Sequence, residues 1–426
     1  MAICTPKGYR NQVMYSIYVR NYSEEGTFEG VRRDLPRICS LGVDIIWLMP
    51  IHPCGKKNRK GTLGSPYAIS DYRAVNPEFG TMEDFKRLVD DIHANGMKCI
   101  IDVVYNHTSP DSVLSREHPE WFYHKPDGSF GNRIGDWSDV IDLDYRNHAL
   151  WDYQIETLKQ WASLVDGFRC DVAPLVPLEF WLAARRAVET VHPNCIWLSE
   201  SVEPCFITGT RMDGIASLSD SEIYQAFDIC YDYDIFPDFL RYLKGEIPLS
   251  QYTEAVNRQE YIYPENYVKL RYLENHDNNR AKQLIPDERM LRNHTAFMYF
   301  QKGMTLLYAG QEVAATHTPS LFEKDTVDWD TAHDISPLLK KLYKIKKHPL
   351  LTDSSYHVQA LAHDLVLATH QKGGKRLVGV FSLRGEAGLL PVDLPDGQYR
   401  DLLGGDIVEV RAGRLGTDGE PMIFEM

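Results

Sequence analysis

Four apolar segments of the chain end in polar side chains that could carry acid-base chemistry. These side chains are Asp102, Asn106 and His107; Arg169 and Asp171; Glu200; and Glu274, His276 and Asp277. One aspartate at a strand end is commonly a structural ion pair, but gathered like charges need a reason because buried carboxylates repel each other. Cleavage of a glycosidic bond supplies such a reason. One carboxylate attacks or shields the sugar carbon, and one carboxylic acid protonates the leaving oxygen.

Eight strand candidates, separated by helical patterns, are available to position these side chains. They are QVMYSIYV from Gln12, VDIIWLM from Val43, KCIIDVVY from Lys98, VDGFRCDV from Val165, CIWLSE from Cys195, FDICYDYDI from Phe227, YVKLRYLE from Tyr267 and MTLLYAG from Met304. Consecutive apolar residues are typical of strands covered on both faces. Between two of them, Thr81 has the character of a helix N-cap and Gly96 that of a helix stop. The alternation predicts an α/β fold, a (β/α)8 TIM barrel whose active site lies at the carboxyl ends of its strands.

Two departures from a bare barrel are expected. The connection after the third strand, from about 107 to 149, is much longer than an ordinary βα loop and predicts a small inserted subdomain. After about residue 350 the helical pattern gives way to alternating segments with Gly-Gly and Asp-Gly turns. This change predicts a catalytic barrel over 1–350 and a C-terminal antiparallel β domain over 351–426.

Composition and charge exclude several classes of partner. The formal net charge of −14 argues against nucleic acid, whose binders carry basic patches. No apolar run is long enough to span a membrane, and the N-terminal segment MAICTPKGYRNQ lacks the apolar core of a signal peptide. The eight cysteines form no C-x-x-C pair. We therefore expect a cytoplasmic protein with no membrane or nucleic-acid partner, and the oligomeric state stays open.

The ordered motifs resemble those of the α-amylase superfamily, glycoside hydrolase family 13. The matching segments are DVVYNH (102–107), GFRCD (167–171), Glu200 and NHD (275–277), together with GVDIIWLMP (42–50), GSPYAISDYRAVNPEFGT (64–81) and MTLLYAGQE (304–312). They follow the family's order and cover essentially the whole chain. The resemblance implies cleavage of α-linked glucans with retention of configuration.

Matched position by position, the resemblance implies a role for each polar residue of the site. It makes Asp171 the nucleophile, Glu200 the acid/base and Asp277 the carboxylate that stabilises the transition state. Arg169, two residues before Asp171 on one strand, points to the same side of the backbone and would keep it ionised. The remaining substrate-binding residues implied are Tyr67, as a stacking platform, and His107 and His276, as hydrogen-bond partners of the sugar.

The resemblance requires no cofactor, but a structural calcium is an option. Asn106 and Asp142 fall where many relatives hold calcium between the barrel and the inserted subdomain, and hard oxygen ligands suit that ion. Relatives with short inserted subdomains often lack it, and two candidate ligands are few.

The segment after the nucleophile departs from the pattern of starch-degrading relatives. Many of them carry a Lys-His pair there, whereas this chain has Pro174 and Leu175. The departure favours short maltooligosaccharides over long polymers as substrates of an α-1,4-glucan hydrolase. Three alternatives remain: a glucanotransferase, an α-glucosidase, or a non-catalytic relative. The last would be free to lose the three carboxylates that this chain keeps.

Overall fold

Eight parallel strands form a closed barrel at the centre of the molecule. The computed structural model describes residues 4–134 and 137–426. The barrel strands, numbered β1 to β8, are Val13–Ile17, Ile45–Leu48, Lys98–Val103, Gly167–Cys170, Ile196–Ser199, Ile229–Tyr231, Lys269–Arg271 and Met304–Tyr308. Each strand pairs with its neighbours in the chain, and β1 closes the barrel against β8. All eight strand candidates are confirmed.

Helices surround the barrel and are defined by local sequence signals. The helices between β1 and β5 are Val19–Tyr22, Phe28–Arg32, Leu35–Ser40, Met82–Ala94, Val113–Glu117, His148–Ala162 and Leu178–Val188. Those after β5 are Pro204–Met212, Asp220–Ile223, Phe236–Leu243, Leu249–Ile262, Ala281–Leu284, Glu288–Phe300, Ser336–Lys346 and Pro349–Thr352. Thr81 caps the helix Met82–Ala94, as predicted: its hydroxyl accepts a hydrogen bond from the Asp84 N–H, and the Asp84 carboxylate accepts one from the Thr81 N–H. None of the described helices is long and apolar enough to cross a membrane.

The predicted insertion follows β3 and rises over the mouth of the barrel. Its base is a short antiparallel pair, His107–Thr108 with Ile141–Asp142. Its buried Trp121 and Phe122 belong to the same apolar cluster as the barrel core. The chain returns to the barrel through the helix His148–Ala162.

The C-terminal region forms two antiparallel sheets, as the alternating pattern indicated. In spatial order the first contains Ser355–Ala360, Leu365–Lys372, Lys375–Ser382 and Met422–Glu425. The second contains Gly388–Pro391, Arg414–Thr417, Ile407–Arg411 and Gly397–Arg400. A separate apolar cluster, including Val378, Leu390 and Phe424, fills the space between them. The fold is the predicted TIM barrel with an inserted subdomain and a C-terminal β region.

Two buried histidines join the first C-terminal sheet to the barrel helix Glu288–Phe300. His294 Nε2 lies 3.2 Å from the Leu383 carbonyl, and His370 Nε2 lies 2.9 Å from the Phe300 carbonyl. Burial lowers the pKa of each imidazole to about 3. Both histidines are therefore neutral in the folded protein well below the pH at which they would protonate in the unfolded chain.

We expect the melting temperature to fall as the pH drops from 7 to 4.5. The unfolded chain binds protons at these histidines below pH about 6.5, whereas the folded protein does not, so stability is lost as the pH falls. Each histidine contributes at most about 1.4 kcal/mol per pH unit. Scanning calorimetry of the wild type and of the double variant His294→Gln/His370→Gln measures the effect. If the melting temperature changes equally with pH in both proteins, the two histidines do not cause the loss of stability.

Candidate active site

The predicted site residues converge on one cavity at the carboxyl ends of the barrel strands. Asp171 directly follows β4, Glu200 follows β5, and the segment 274–277 lies just beyond β7. Six of the seven predicted catalytic and substrate-binding residues line this cavity of about 350 Å³, namely Tyr67, His107, Asp171, Glu200, His276 and Asp277. The seventh, Arg169, is fully buried beside Asp171 and Glu200. The tertiary fold thus gathers residues that are separated by up to about half the chain.

The Arg169 guanidinium ties the carboxylates together. Its Nη1 donates hydrogen bonds to Asp171 Oδ1 at 2.7 Å and to Asp102 Oδ1 at 2.9 Å. Its Nη2 forms an ion pair with Glu200 Oε2 at 2.9 Å. Although burial opposes the charged form, Asp102 and Glu200 raise the pKa of Arg169 well above its usual value. A fixed cation therefore compensates part of the repulsion between the gathered carboxylates.

Two of these carboxyl groups have raised pKa values. Burial, with added repulsion from Asp171 and Asp277, raises the pKa of Glu200 well above its usual range, although Arg169 opposes the shift. Burial likewise raises the pKa of Asp102 to about 7. A carboxyl group whose pKa is raised stays protonated at higher pH and can act as a general acid.

One oxygen of Glu200 is held by the backbone directly after Asp171. The Val172 N–H donates to Glu200 Oε2 at 2.7 Å, the same oxygen that faces Arg169. Val172 adopts φ 35° and ψ 43°, a left-handed conformation that is strained for a β-branched residue. Because the Val172 N–H donates to Oε2 and the Arg169 cation lies beside it, Oε1 is the oxygen that can carry the proton. Local strain at Val172 therefore accompanies a defined orientation of Glu200.

Tyr67, His276 and Asp277 form one wall of the cavity. The rings of Tyr67 and His276 stack with centroids 5.5 Å apart, and the Tyr67 hydroxyl lies 2.7 Å from His276 Nε2. His276 Nε2 is also 3.1 Å from Asp277 Oδ2. Burial lowers the pKa of His276 to about 4, so its imidazole is neutral at ordinary pH. On the other side, His107 Nε2 lies 3.8 Å from Asp171 Oδ2.

The predicted calcium ligands fit that ion poorly. Asn106 and Asp142 lie close together, because the Leu143 N–H donates a hydrogen bond to the Asn106 carbonyl and Asp142 directly precedes Leu143. However, Asp142 Oδ2 accepts a hydrogen bond from the Arg133 N–H at 2.7 Å, and Arg133 Nη1 lies 4.0 Å away. For one buried oxygen, Asp142 Oδ1, the described part of the chain offers no hydrogen-bond partner. Within 4–134 and 137–426, no three His, Cys, Asp or Glu side chains are grouped to hold a metal.

Chelation is therefore expected to change stability little. Because the cationic side chain of Arg133 already lies beside Asp142, removal of calcium should not leave this carboxylate without a partner. The melting temperature should therefore shift by no more than about 2 °C. Thermal unfolding in EDTA, compared with unfolding in added calcium, measures this. A large loss of stability in EDTA that calcium restores would establish a site at Asn106 and Asp142.

Several residues of the site were not singled out from the sequence. Asp102 is among the strand-end candidates, but the sequence assigns it no role; in the structure it is a direct partner of Arg169 and of the Tyr67 hydroxyl. Other residues that line the cavity come from loops without a distinctive local pattern: Lys60, Ser65, Trp137, Asp139, Val140, Val172, Tyr233, Leu321 and Phe322. Of the polar side chains among these, only Tyr233 could have been suggested by its position just beyond a barrel strand, β6.

Comparison with known proteins agrees with this geometry. The α-amylase catalytic domain model matches residues 12–127 and 115–348, and the bacterial α-amylase C-terminal domain model matches residues 357–424. A crystal structure of an α-amylase from Lactobacillus plantarum is 50% identical, with a TM-score of 0.96, over 99% of this chain and 100% of that one. A noncanonic maltogenic α-amylase from Thermotoga neapolitana is 32% identical, with a TM-score of 0.87, over 98% and 99% of the two chains.

Curated relatives add a transferase to this picture. An α-1,4-glucan:maltose-1-phosphate maltosyltransferase from Myxococcus xanthus is 33% identical over 58% of this chain. The match covers 38% of that relative, so this chain spans well under half the length of the curated transferase it matches. The family models, the full-length structural matches and the barrel with its gathered carboxylates lead to one conclusion: the chain belongs to the α-amylase family, glycoside hydrolase family 13.

Proposed function

We propose that this protein is a retaining hydrolase of α-1,4-glucosidic links in maltooligosaccharides. Asp171 is the nucleophile, Glu200 the acid/base and Asp277 the carboxylate that stabilises the transition state. The observation that carries the proposal is the shared contact of Asp171 and Glu200 with the two Nη atoms of Arg169. A retaining mechanism needs the two carboxyl groups about 5–5.5 Å apart, and one guanidinium holding both supports that spacing.

In the first step an Asp171 oxygen bonds to the anomeric carbon while the bond from that carbon to the leaving oxygen breaks. The Glu200 proton moves to the leaving oxygen, which the raised pKa of Glu200 supports. In the second step Glu200, now ionised, takes a proton from water. The water oxygen bonds to the anomeric carbon and the ester to Asp171 breaks. Two inversions return the α-anomer.

The remaining residues would hold and distort the reacting sugar. Asp277, whose side chain is 40% exposed at the cavity, is available to accept hydrogen bonds from sugar hydroxyls. The neutral His276 offers a ring N–H group, His107 offers a second imidazole, and Tyr67 offers an aromatic face. Contacts that strengthen as the sugar ring flattens stabilise the transition state more than they stabilise the bound substrate. They therefore lower the activation barrier to cleavage.

A glucanotransferase is the second candidate, because curated relatives include maltosyltransferases. The two activities share the covalent intermediate and differ only in whether water or a sugar hydroxyl attacks it. A test offers the enzyme maltose 1-phosphate with maltohexaose as acceptor and measures orthophosphate together with chain length. We expect no phosphate release coupled to chain extension. Such coupled release would favour the transferase.

A series of substrates of increasing length tests the preference for short maltooligosaccharides. Pro174 and Leu175 form a short 3-10 turn after Asp171 and offer no charged side chain to hold further sugar units beyond the leaving group. We therefore expect kcat/KM to rise little beyond short members of a maltose-to-maltoheptaose series, with starch poorer per accessible bond. NMR of the first product should show the α-anomer. A steady rise with length, and starch as the best substrate, would indicate an endo-acting amylase instead.

A further inference from the structure

Two loops at the barrel mouth are hydrogen-bonded to each other and form a continuous wall of the cavity. The first, residues 60–65, follows β2, and the second, residues 321–323, follows β8. The Leu63 N–H donates to the Phe322 carbonyl at 3.1 Å, and the Thr62 N–H donates to Glu323 Oε1 at 2.8 Å. We call these two segments the β2–β8 wall. Lys60, Ser65, Leu321 and Phe322 are its cavity-lining members.

The wall depends on glycine at position 61. Gly61 has φ +63°, and a Cβ placed there would lie 2.6 Å from Glu323 Oε1 and 2.7 Å from Phe322 Cβ. Any other residue would force the two loops apart or change the backbone. The close contact of the two loops therefore requires glycine at position 61.

A buried arginine joins the two loops from below. Arg20 Nη1 donates to the Gly64 carbonyl at 3.0 Å and to the Leu321 carbonyl at 3.2 Å. Its side chain is only 3% exposed. Because one guanidinium bonds both loops, the wall is fixed at its base as well as along its length.

An ion pair extends the wall to the inserted subdomain. Lys60 Nζ lies 3.1 Å from Asp139 Oδ1, and the Asp139 side chain is 6% exposed. Asp139 and its neighbour Val140 both line the cavity, as does Trp137, whose ring is 5.3 Å from that of His107. The β2–β8 wall and the insertion thus meet over the cavity.

The barrel topology places this wall opposite the acid/base. The loops after β2 and β8 flank β1, and β5, which precedes Glu200, lies four strands away from β1 in either direction around the closed barrel. The acid protonates the leaving oxygen, so the leaving group lies on the Glu200 side. The wall therefore bounds the side that holds the part of the chain ending in the free 4-hydroxyl, the non-reducing end.

We propose that the β2–β8 wall, closed by the Lys60–Asp139 ion pair, blocks the non-reducing side of the cleft, so that the enzyme attacks glucan chains from that end and releases short products. The inference rests on the proposed hydrolase function. The cavity volume of about 350 Å³, near the lower end of the roughly 300–1,000 Å³ typical of ligand sites, agrees with a short glycone. Lys60 and Gly61 would then determine where the chain is cut.

A pair of substrates tests the direction of attack. Both are 4-nitrophenyl maltoheptaosides, one with a free non-reducing end and one with that end blocked by a 4,6-O-ethylidene group. Chromatography of the ultraviolet-absorbing products reports which bond is cut. We expect the free substrate to be shortened stepwise from its non-reducing end, and the blocked one to be cleaved at least about tenfold more slowly, because the added group would clash with the wall.

Variants of the wall assign the effect to it. Lys60→Ala removes the closing ion pair and Gly61→Ala forces the loops apart, so each should raise the rate on the blocked substrate relative to the free one. Lys57→Ala, three residues before Lys60 and in the lining of a neighbouring pocket, should leave this ratio unchanged. Equal internal cleavage of both substrates by the wild type, or an unchanged ratio in both wall variants, would overturn the inference. If neither the free nor the blocked substrate is cleaved, that result would instead contradict the proposed hydrolase function.

Discussion

Replacing Asp171 by asparagine is expected to lower kcat by at least about 10⁴-fold on every substrate. An amide is a very poor nucleophile, so the covalent sugar–enzyme ester cannot form even from a substrate with a good leaving group. The fold should survive, because removing one of the gathered negative charges relieves repulsion while Arg169 keeps its contacts with Asp102 and Glu200. The same change should lower the pKa of Glu200, since Asp171 contributes to raising it.

Trapping of the intermediate measures this prediction. A 2-deoxy-2-fluoro glycosyl fluoride slows both steps and allows the ester to accumulate, and peptide mass spectrometry then locates it. The wild-type protein should carry the sugar on the peptide that contains Asp171, whereas Asp171→Asn should carry none. Asp213→Asn, at an exposed position, serves as the matched control and should keep full activity. A sugar ester on another carboxylate would show that Asp171 is not the nucleophile.

Replacing Glu200 by glutamine is expected to separate substrates by their leaving groups. Natural glycosides need a proton on the leaving oxygen, so we expect a loss of about 10³-fold, within the range for general acid catalysis. Substrates with a fluoride or nitrophenolate leaving group need little protonation, so the first step should slow by no more than about tenfold. Added azide, which needs no general base, should restore turnover of those substrates and yield the α-glycosyl azide, because azide replaces water in the second inversion.

The pH profile provides a second measurement of the same role. Because the pKa of Glu200 is raised, the wild-type kcat/KM for natural substrates should be highest while Glu200 is protonated and should fall as the pH rises through that pKa. This alkaline limb should disappear in Glu200→Gln when fluoride substrates are used. Glu203→Gln, three residues further along and away from the residues that line the cavity, is the control. An equal loss on natural and activated substrates would remove Glu200 from the acid role.

Much of the architecture could be predicted because it depends on short segments of neighbouring residues. Each barrel strand is a short run of apolar residues, and a strand covered on both faces needs such a run. The Thr81 cap and the stop at Gly96 are likewise properties of neighbouring residues. Arg169 and Asp171 are two apart on β4, so their common direction follows from the alternation of side chains along a strand. The family motifs are ordered along the chain in the same way.

The limits of the cleft were decided only by the tertiary structure. Nothing near Lys60 indicates Asp139 as its partner, because the two lie on loops that meet only once the barrel has closed. The need for glycine at position 61 comes from Glu323 and Phe322, more than two hundred residues away. The raised pKa of Glu200 also depends on burial and on charges brought in by other strands. Sequence alone determined which side chains are available for chemistry, while the fold decided their protonation and how much of a glucan chain can reach them, because both depend on contacts between distant segments.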